Sequence, residues 1–256
     1  MKNCMMKNNA LNYDYGKIKL LELVGIYMIA FVLGVLFRIY GGSIGILLSG
    51  TAFYFLPFMW ILIKLNTKKI PFQLWTAKVK KLTLYDSFFV AIFFISIPVA
   101  FIIIEAILFK EGQMEYEKVC WQKVIVLAIL APIAEELICR GIILQSFVNK
   151  YSVRKSVWLS AIVFYIIHIN IFDLLTIFAG VMFAVLMIEH CNLYMTMAIH
   201  FLWNLILQLK PLLIAILHNV RSTVCLCILL FCFLMFIVGL IKSIQQYKFM
   251  LKEYCE

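Results

Sequence analysis

Apolar runs long enough to cross a lipid bilayer follow one another along almost the whole chain. A helix needs about 20 apolar residues to cross the hydrocarbon layer. Short segments with lysine, glycine or other polar residues separate these runs. The pattern predicts an all-α, polytopic membrane protein with about eight spans, at residues 18–37, 44–65, 87–109, 119–148, 156–169, 172–188, 193–209 and 224–243. The runs at 156–169 and 193–209 are short, so counts of seven and nine stay open.

Composition supports membrane residence and argues against a nucleic-acid partner. Of the 256 residues 65% are hydrophobic and 14% are charged, whereas a soluble domain is nearer to half apolar. The net charge of +10 comes from lysines between the apolar runs, where they set topology and contact anionic lipid. The eight cysteines include no CxxC pair, so we predict neither a disulfide framework nor a cysteine metal site.

The basic residues also predict the orientation of the chain. With eight spans, 16 of the 23 lysines and arginines lie on the side of the two termini and six on the other side, while Arg140 lies within a span. Because positive charge stays on the cytoplasmic side, both termini are predicted to be cytoplasmic. The composition, rich in lysine, isoleucine and asparagine, and the short loops favour a bacterial cell-membrane protein. The basic segment 68–81 fits either an interfacial helix or a solvated loop.

The span at 119–148 contains three ionisable side chains at membrane depth. Each would cost about 2.5–3.5 kcal/mol without a partner. Glu136 and Arg140 are four residues apart and share a helix face, which predicts an ion pair. Glu135 points about 100° away from Glu136, so the spacing leaves it available for chemistry.

Two later spans carry further polar side chains. His168 follows Phe164 by four residues, and Asn204 follows His200 by four residues. A single histidine in an apolar helix is usually a satisfied core residue. Burial of two imidazoles, an amide and Glu135 costs least if these groups meet one another, so we predict that they surround one hydrated cavity. His190, His218 and Glu105 lie near the ends of spans or between them, and the sequence assigns them no role.

These residues form three motifs in a fixed order. They are Glu135-Glu136-x-x-x-Arg140, Phe164-x-x-x-His168 and His200-x-x-x-Asn204. The set resembles the CPBP intramembrane protease family, which includes CAAX proteases and bacteriocin-processing enzymes. The resemblance implies a conical catalytic helix bundle. It divides the chain into spans one to three with the basic linker at 1–118, a CPBP-like core at 119–210, and a last span with a basic tail at 211–256.

The resemblance implies an intramembrane endopeptidase that uses an activated water. Glu135 would be the general base, His168 would share the water and protonate the leaving amine, and His200 with Asn204 would bind the oxyanion. The supporting residues would be Glu136, Arg140 and Phe164. A zinc version would use Glu135, His168 and His200 as ligands, although no HExxH motif is present. The metal-free version without a cofactor is favoured.

Two other classes of function remain open from the sequence. A bacteriocin-immunity or membrane scaffolding protein could keep the protease fold without catalysis. A proton-coupled transporter would also place glutamate and histidine at membrane depth, but the halves of the chain show no inverted repeat. The expected partners are a membrane-associated peptide or protein substrate and the lipid bilayer, with no nucleic acid. The residues do not define the substrate, the cleavage site or the oligomeric state.

Overall fold

The computed structural model describes residues 20–67, 81–108, 119–168 and 174–255. Within these ranges the chain is helical almost throughout and forms no β-strand, which confirms the all-α prediction. The helices are α1 (Leu20–Tyr40), α2 (Gly45–Thr67), α3 (Lys81–Leu108), α4 (121–148), α5 (Val153–His168), α6 (Leu174–His190), α7 (Leu193–Gln208), α8 (Lys210–His218) and α9 (Ser222–Cys255). The predicted interfacial helix at 68–81 lies almost entirely outside the described residues.

Four of the described helices are long and apolar enough to cross a membrane, namely α1, α2, α3 and α9. The count is five if α7 and α8, which meet at an angle of 57°, form one broken span. Only 17% of the residues in the most apolar stretches of α1, α2 and α9 are buried, against 50% in α3. Therefore α3 is an inner helix, while the other three expose apolar side chains suited to lipid. The count of eight spans stays a prediction.

Helix α4 is the central helix of the bundle. It contacts α2, α5 and α7, and every residue from Ala131 to Gln145 is buried except Ile133. Two stretches of α4, Val124–Leu130 and Leu137–Ile143, are π-helical. In a π-helix the hydrogen bonds run from i to i+5, and such turns are frequent at functional sites. Glu135 and Glu136 therefore lie between two widened helical turns, and Arg140 lies within the second.

Two glycines allow close helix crossings. A Cβ atom on Gly180 of α6 would lie 2.9 Å from the Cα atom of Ala161 on α5. A Cβ atom on Gly239 of α9 would lie 2.8 Å from the backbone nitrogen of Phe93 on α3. Real Cβ atoms do not approach other atoms this closely, so both crossings depend on the missing side chain.

Two boundaries predicted from the sequence are wrong. The segment between the predicted spans 193–209 and 224–243 was expected to be a connection, but it contains the helix α8. The residues after 243 were expected to be a short tail, but α9 continues through them to Cys255. Tertiary contacts stabilise this extension, because Met250 is fully buried and the Tyr247 hydroxyl accepts a 2.9 Å hydrogen bond from Trp158 Nε1.

Candidate active site

A buried ion pair on α4 holds three helices together. Arg140 Nη1 lies 3.0 Å from Glu136 Oε1, and both side chains are 0% exposed. The guanidinium carbon is 4.1 Å from the ring centre of Phe164 on α5 and 5.2 Å from that of Phe183 on α6. Arg140 Nη2 also donates a 3.4 Å hydrogen bond to the carbonyl of Gly180. The planar guanidinium thus neutralises one carboxylate and stacks on the two neighbouring helices.

The second carboxylate of α4 contacts both predicted histidines. Glu135 Oε2 lies 3.1 Å from His168 Nε2 and 3.7 Å from His200 Nε2. Glu135 and His200 are buried, with 6% and 5% of their surfaces exposed, while the His168 side chain is 28% exposed. The structure therefore brings residues from α4, α5 and α7 together, although 65 positions separate Glu135 from His200 in the sequence.

The other ring nitrogen of each histidine has an acceptor of its own. His168 Nδ1 lies 2.7 Å from the carbonyl oxygen of Phe164, and His200 Nδ1 lies 3.0 Å from Glu136 Oε1. Each Nδ1 must donate, since both partners accept, and this directs both Nε2 atoms toward Glu135. Two unprotonated Nε2 atoms would repel a carboxylate oxygen at this range. The three groups must therefore share a proton or a cation.

A cavity of about 200 Å³ adjoins the two imidazoles. His168, His200 and Asn204 supply polar groups to its lining, and Phe94 and Trp203 are among its aromatic walls. One water takes up about 30 Å³ in the liquid, so the cavity has room for several waters or for part of a peptide. The cavity thus lies beside the two imidazoles, and both imidazoles contact Glu135.

Asn204 shares the cavity, but part of its amide is already bound. Its Nδ2 donates a 2.7 Å hydrogen bond to the carbonyl oxygen of Leu127, which lies in the first π-helical stretch of α4. An amide nitrogen carries two hydrogens, so one N–H remains for a ligand. His200 has only its Nε2 atom left to offer, and this atom faces Glu135. Their spacing alone predicts that the two side chains are equivalent donors. The structure shows that they are not, because Asn204 has a free N–H and His200 Nε2 faces Glu135.

Sequence reasoning missed Tyr54, which contacts the site from α2. Its hydroxyl lies close enough to Glu135 to interact with the carboxylate. Tyr54 also lines a groove of about 410 Å³, together with Arg38 of α1 and Lys123 of α4. A single tyrosine within a long apolar run gave no signal of this contact. Thus Glu135 has a partner outside the segment that carries the three motifs.

Comparison with known families adds one finding. Residues 118–206 match the sequence model of a family described as type II CAAX prenyl endopeptidase Rce1-like, and all seven predicted site residues lie in that range. No curated protein and no solved structure matches the chain. The match and the four helices long enough to cross a bilayer identify a multi-pass membrane protein.

Proposed function

We propose that the chain is an intramembrane endopeptidase, from the premise that residues 118–206 match the family of type II CAAX prenyl endopeptidases described as Rce1-like. It hydrolyses a peptide bond in a membrane-associated peptide or protein. The observation that carries this proposal is the approach of Glu135 Oε2 to the Nε2 atoms of His168 and His200, beside a cavity. A base, two imidazoles and room for water are the parts that hydrolysis needs.

In the proposed mechanism Glu135 activates a water molecule. The carboxylate takes a proton from the water as its oxygen attacks the carbonyl carbon of the peptide bond. His168 is the most exposed of the three groups and lines the cavity, so it is suited to pass the proton to the leaving nitrogen. The C–N bond then breaks and leaves a new carboxyl group and a new amine.

The remaining polar groups stabilise charge and hold geometry. The second N–H of Asn204 donates to the oxyanion, and a protonated His200 Nε2 adds positive charge beside it. Loss of one such donor costs about 10²–10³ in rate in a serine protease. Glu136 fixes the ring of His200 through Nδ1, and Arg140 holds Glu136 in place. Phe164 supports both Arg140 and His168, whose ring centre is 4.3 Å away.

The same residues also fit a zinc ion. The donor atoms of Glu135, His168 and His200 lie within 4.8 Å of one another. Each Nδ1 atom also has an acceptor, as the second ring nitrogen of a zinc-bound histidine usually does. If these three residues held zinc, the ion would supply a Lewis acid. We favour the metal-free mechanism, in which Arg140 balances Glu136 at 3.0 Å and Glu135 shares a proton with the two imidazoles at 3.1 and 3.7 Å.

The test compares Glu135→Gln with a matched control. Glu105→Gln removes a carboxylate that pairs with Lys210 at 2.7 Å and lies outside the motifs. Membrane and secreted peptides from cells making each variant are compared by mass spectrometry. We expect Glu135→Gln to abolish peptides that the unmodified chain and Glu105→Gln both produce. Unchanged processing or immunity in Glu135→Gln cells would instead favour a non-catalytic immunity or scaffolding role.

A substrate peptide identified in this way allows the metal question to be addressed. Cleavage by the purified chain is measured before and after exhaustive chelation. The glutamate mechanism keeps its rate, whereas a zinc mechanism loses it and regains it on addition of zinc.

A further inference from the structure

A second group of carboxylates and imidazole lies at the junction of α3 and α6. His190 Nε2 is 2.9 Å from Asp86 Oδ2 and 3.8 Å from Glu189 Oε2. One donor atom from each of the three residues lies within 4.8 Å of the other two. This group shares no residue with the proposed active site, and the proposed hydrolysis makes no use of it.

The charge at this junction favours a bound cation. Both carboxylates are poorly hydrated, since the side chains of Glu189 and Asp86 are 7% and 20% exposed. In the part of the chain that the structure describes, no lysine or arginine nitrogen comes within 4.0 Å of either carboxylate. Two neighbouring carboxylates in a low-dielectric environment destabilise each other unless a positive charge lies between them.

Glu189 also has an unused oxygen atom. Its Oε2 accepts a 2.7 Å hydrogen bond from Gln246 Nε2 on α9. Its Oε1 is buried and has no hydrogen-bond partner among the described residues. Buried carboxylate oxygens are rarely left unpaired, so this atom is an independent indication of a ligand.

The backbone holds these groups in place before any ligand binds. His190 is the last residue of α6, and α7 begins only three residues later at Leu193. Cys191 adopts a left-handed conformation with φ of 49°, and the side chain of Asn192 accepts a 3.2 Å hydrogen bond from the backbone nitrogen of Met195. This tight turn fixes the direction of His190, so the site is preorganised.

We propose that Asp86, Glu189 and His190 bind a divalent transition-metal ion of the zinc class, which joins α3 to α6. Donors 2.0–2.1 Å from a tetrahedral zinc ion are about 3.3 Å apart. The observed separations of 2.9 and 3.8 Å bracket this value, so small side-chain shifts suffice. The imidazole favours zinc-like ions over magnesium or calcium, which prefer oxygen ligands throughout.

The experiment measures zinc bound to the purified full-length chain in detergent. The protein is stripped with a chelator, incubated with zinc sulfate, passed through a desalting column and analysed by inductively coupled plasma mass spectrometry. The variants Asp86→Asn and Glu189→Gln each remove one carboxylate from a different helix with almost no change in shape. Glu135→Gln is the control for the proposed active site. The unfolding temperature of each sample is recorded with and without zinc.

We expect Asp86→Asn and Glu189→Gln each to bind about one zinc ion fewer per chain than the unmodified protein. Glu135→Gln should keep the ion that these two variants lose, and zinc should raise the unfolding temperature of the unmodified chain more than that of Glu189→Gln. The proposal is overturned if the unmodified chain binds no zinc, or if both carboxylate variants bind as much as it does. Zinc lost only in Glu135→Gln would assign the ion to the proposed active site and equally overturn it.

Discussion

The Glu135 cluster and the Asp86 cluster contain the same kinds of side chain but have different surroundings. In each, imidazole and carboxylate groups lie within 4.8 Å of one another. The first cluster lies next to the buried guanidinium of Arg140 and a cavity of about 200 Å³. The second cluster lies at the end of α6, where its Glu189 carboxylate accepts a hydrogen bond from the amide of Gln246.

This difference shows that residue type alone does not determine the chemistry of such a cluster. In our proposal the first cluster acts without a metal ion, beside the permanent cation of Arg140 and a cavity that takes up the reactant. The second cluster has two carboxylates with no lysine or arginine nitrogen within 4.0 Å among the described residues, so a metal ion can supply the missing charge. We therefore expect proton transfer at the first cluster and cation binding at the second.

The largest expected effect is on catalysis at the first cluster. Replacement of His168 by glutamine should lower the cleavage rate about 10²–10⁴-fold, because general acid–base groups contribute that much. The matched control is His218→Gln, at the end of α8 and outside both clusters, which should cleave within about twofold of the unmodified chain. Rates are measured on a substrate peptide found by mass spectrometry. A His168→Gln variant that keeps a third of the rate would contradict this role.

The next effect concerns the permanent cation of the first cluster. Arg140→Met should lower the free energy of unfolding by about 3–5 kcal/mol, because it leaves Glu136 buried without its partner. The double variant Glu136→Gln with Arg140→Met should recover part of this loss, since the glutamine oxygen still accepts from His200. In chelated protein, Glu189→Gln should cause no comparable loss. Unfolding is followed by denaturant titration in detergent. Equal losses of stability in Arg140→Met and Glu189→Gln would refute the proposed difference in charge between the two clusters.

The smallest effect concerns the two helix crossings. Gly180→Ala and Gly239→Ala should each cost about 1–3 kcal/mol of stability, because the new Cβ atom overpacks the crossing. Gly180 also accepts a hydrogen bond from Arg140, so Gly180→Ala should lower cleavage per folded molecule, whereas Gly239→Ala should not. Thermal unfolding and cleavage are measured on the same preparations. A similar drop in cleavage for both variants would show that the Gly180 crossing has no special link to the site.

Much of the helical pattern could be predicted from the sequence because apolar runs report lipid exposure and burial directly. The run at 44–65 and helix α2 at Gly45–Thr67 agree closely. Helix α8 was missed because Lys210 and Pro211 are typical of a loop, whereas the proline lies at the start of the helix, where it needs no hydrogen bond. The π-helical stretches of α4 also gave no signal, since hydrophobicity does not distinguish i+4 from i+5 hydrogen bonding.

The candidate site was predictable where spacing along one helix, or the cost of burying polar side chains apart from one another, was informative. Glu136 and Arg140 are four residues apart, so their pair could be predicted from helix geometry. The contact of Tyr54 with Glu135 and that of Asp86 with His190 depend on how distant helices pack. No local pattern encodes such packing, and the sequence therefore assigned no role to Tyr54 or His190.

The π-helical stretch Leu137–Ile143 makes the length of α4 as important as its composition. A π turn accommodates one residue more than an α turn, so deletion of one residue after Arg140 can restore regular α-helix and leave the later side chains on nearly the same faces. The next stretch, Leu144–Val148, is α-helical and has no extra residue to lose. A deletion there would rotate every later side chain by about 100° relative to Glu135 and would displace α5 with His168, although all three motifs stay unchanged. The same one-residue deletion is thus expected to be tolerated in the first stretch and to disrupt the site in the second.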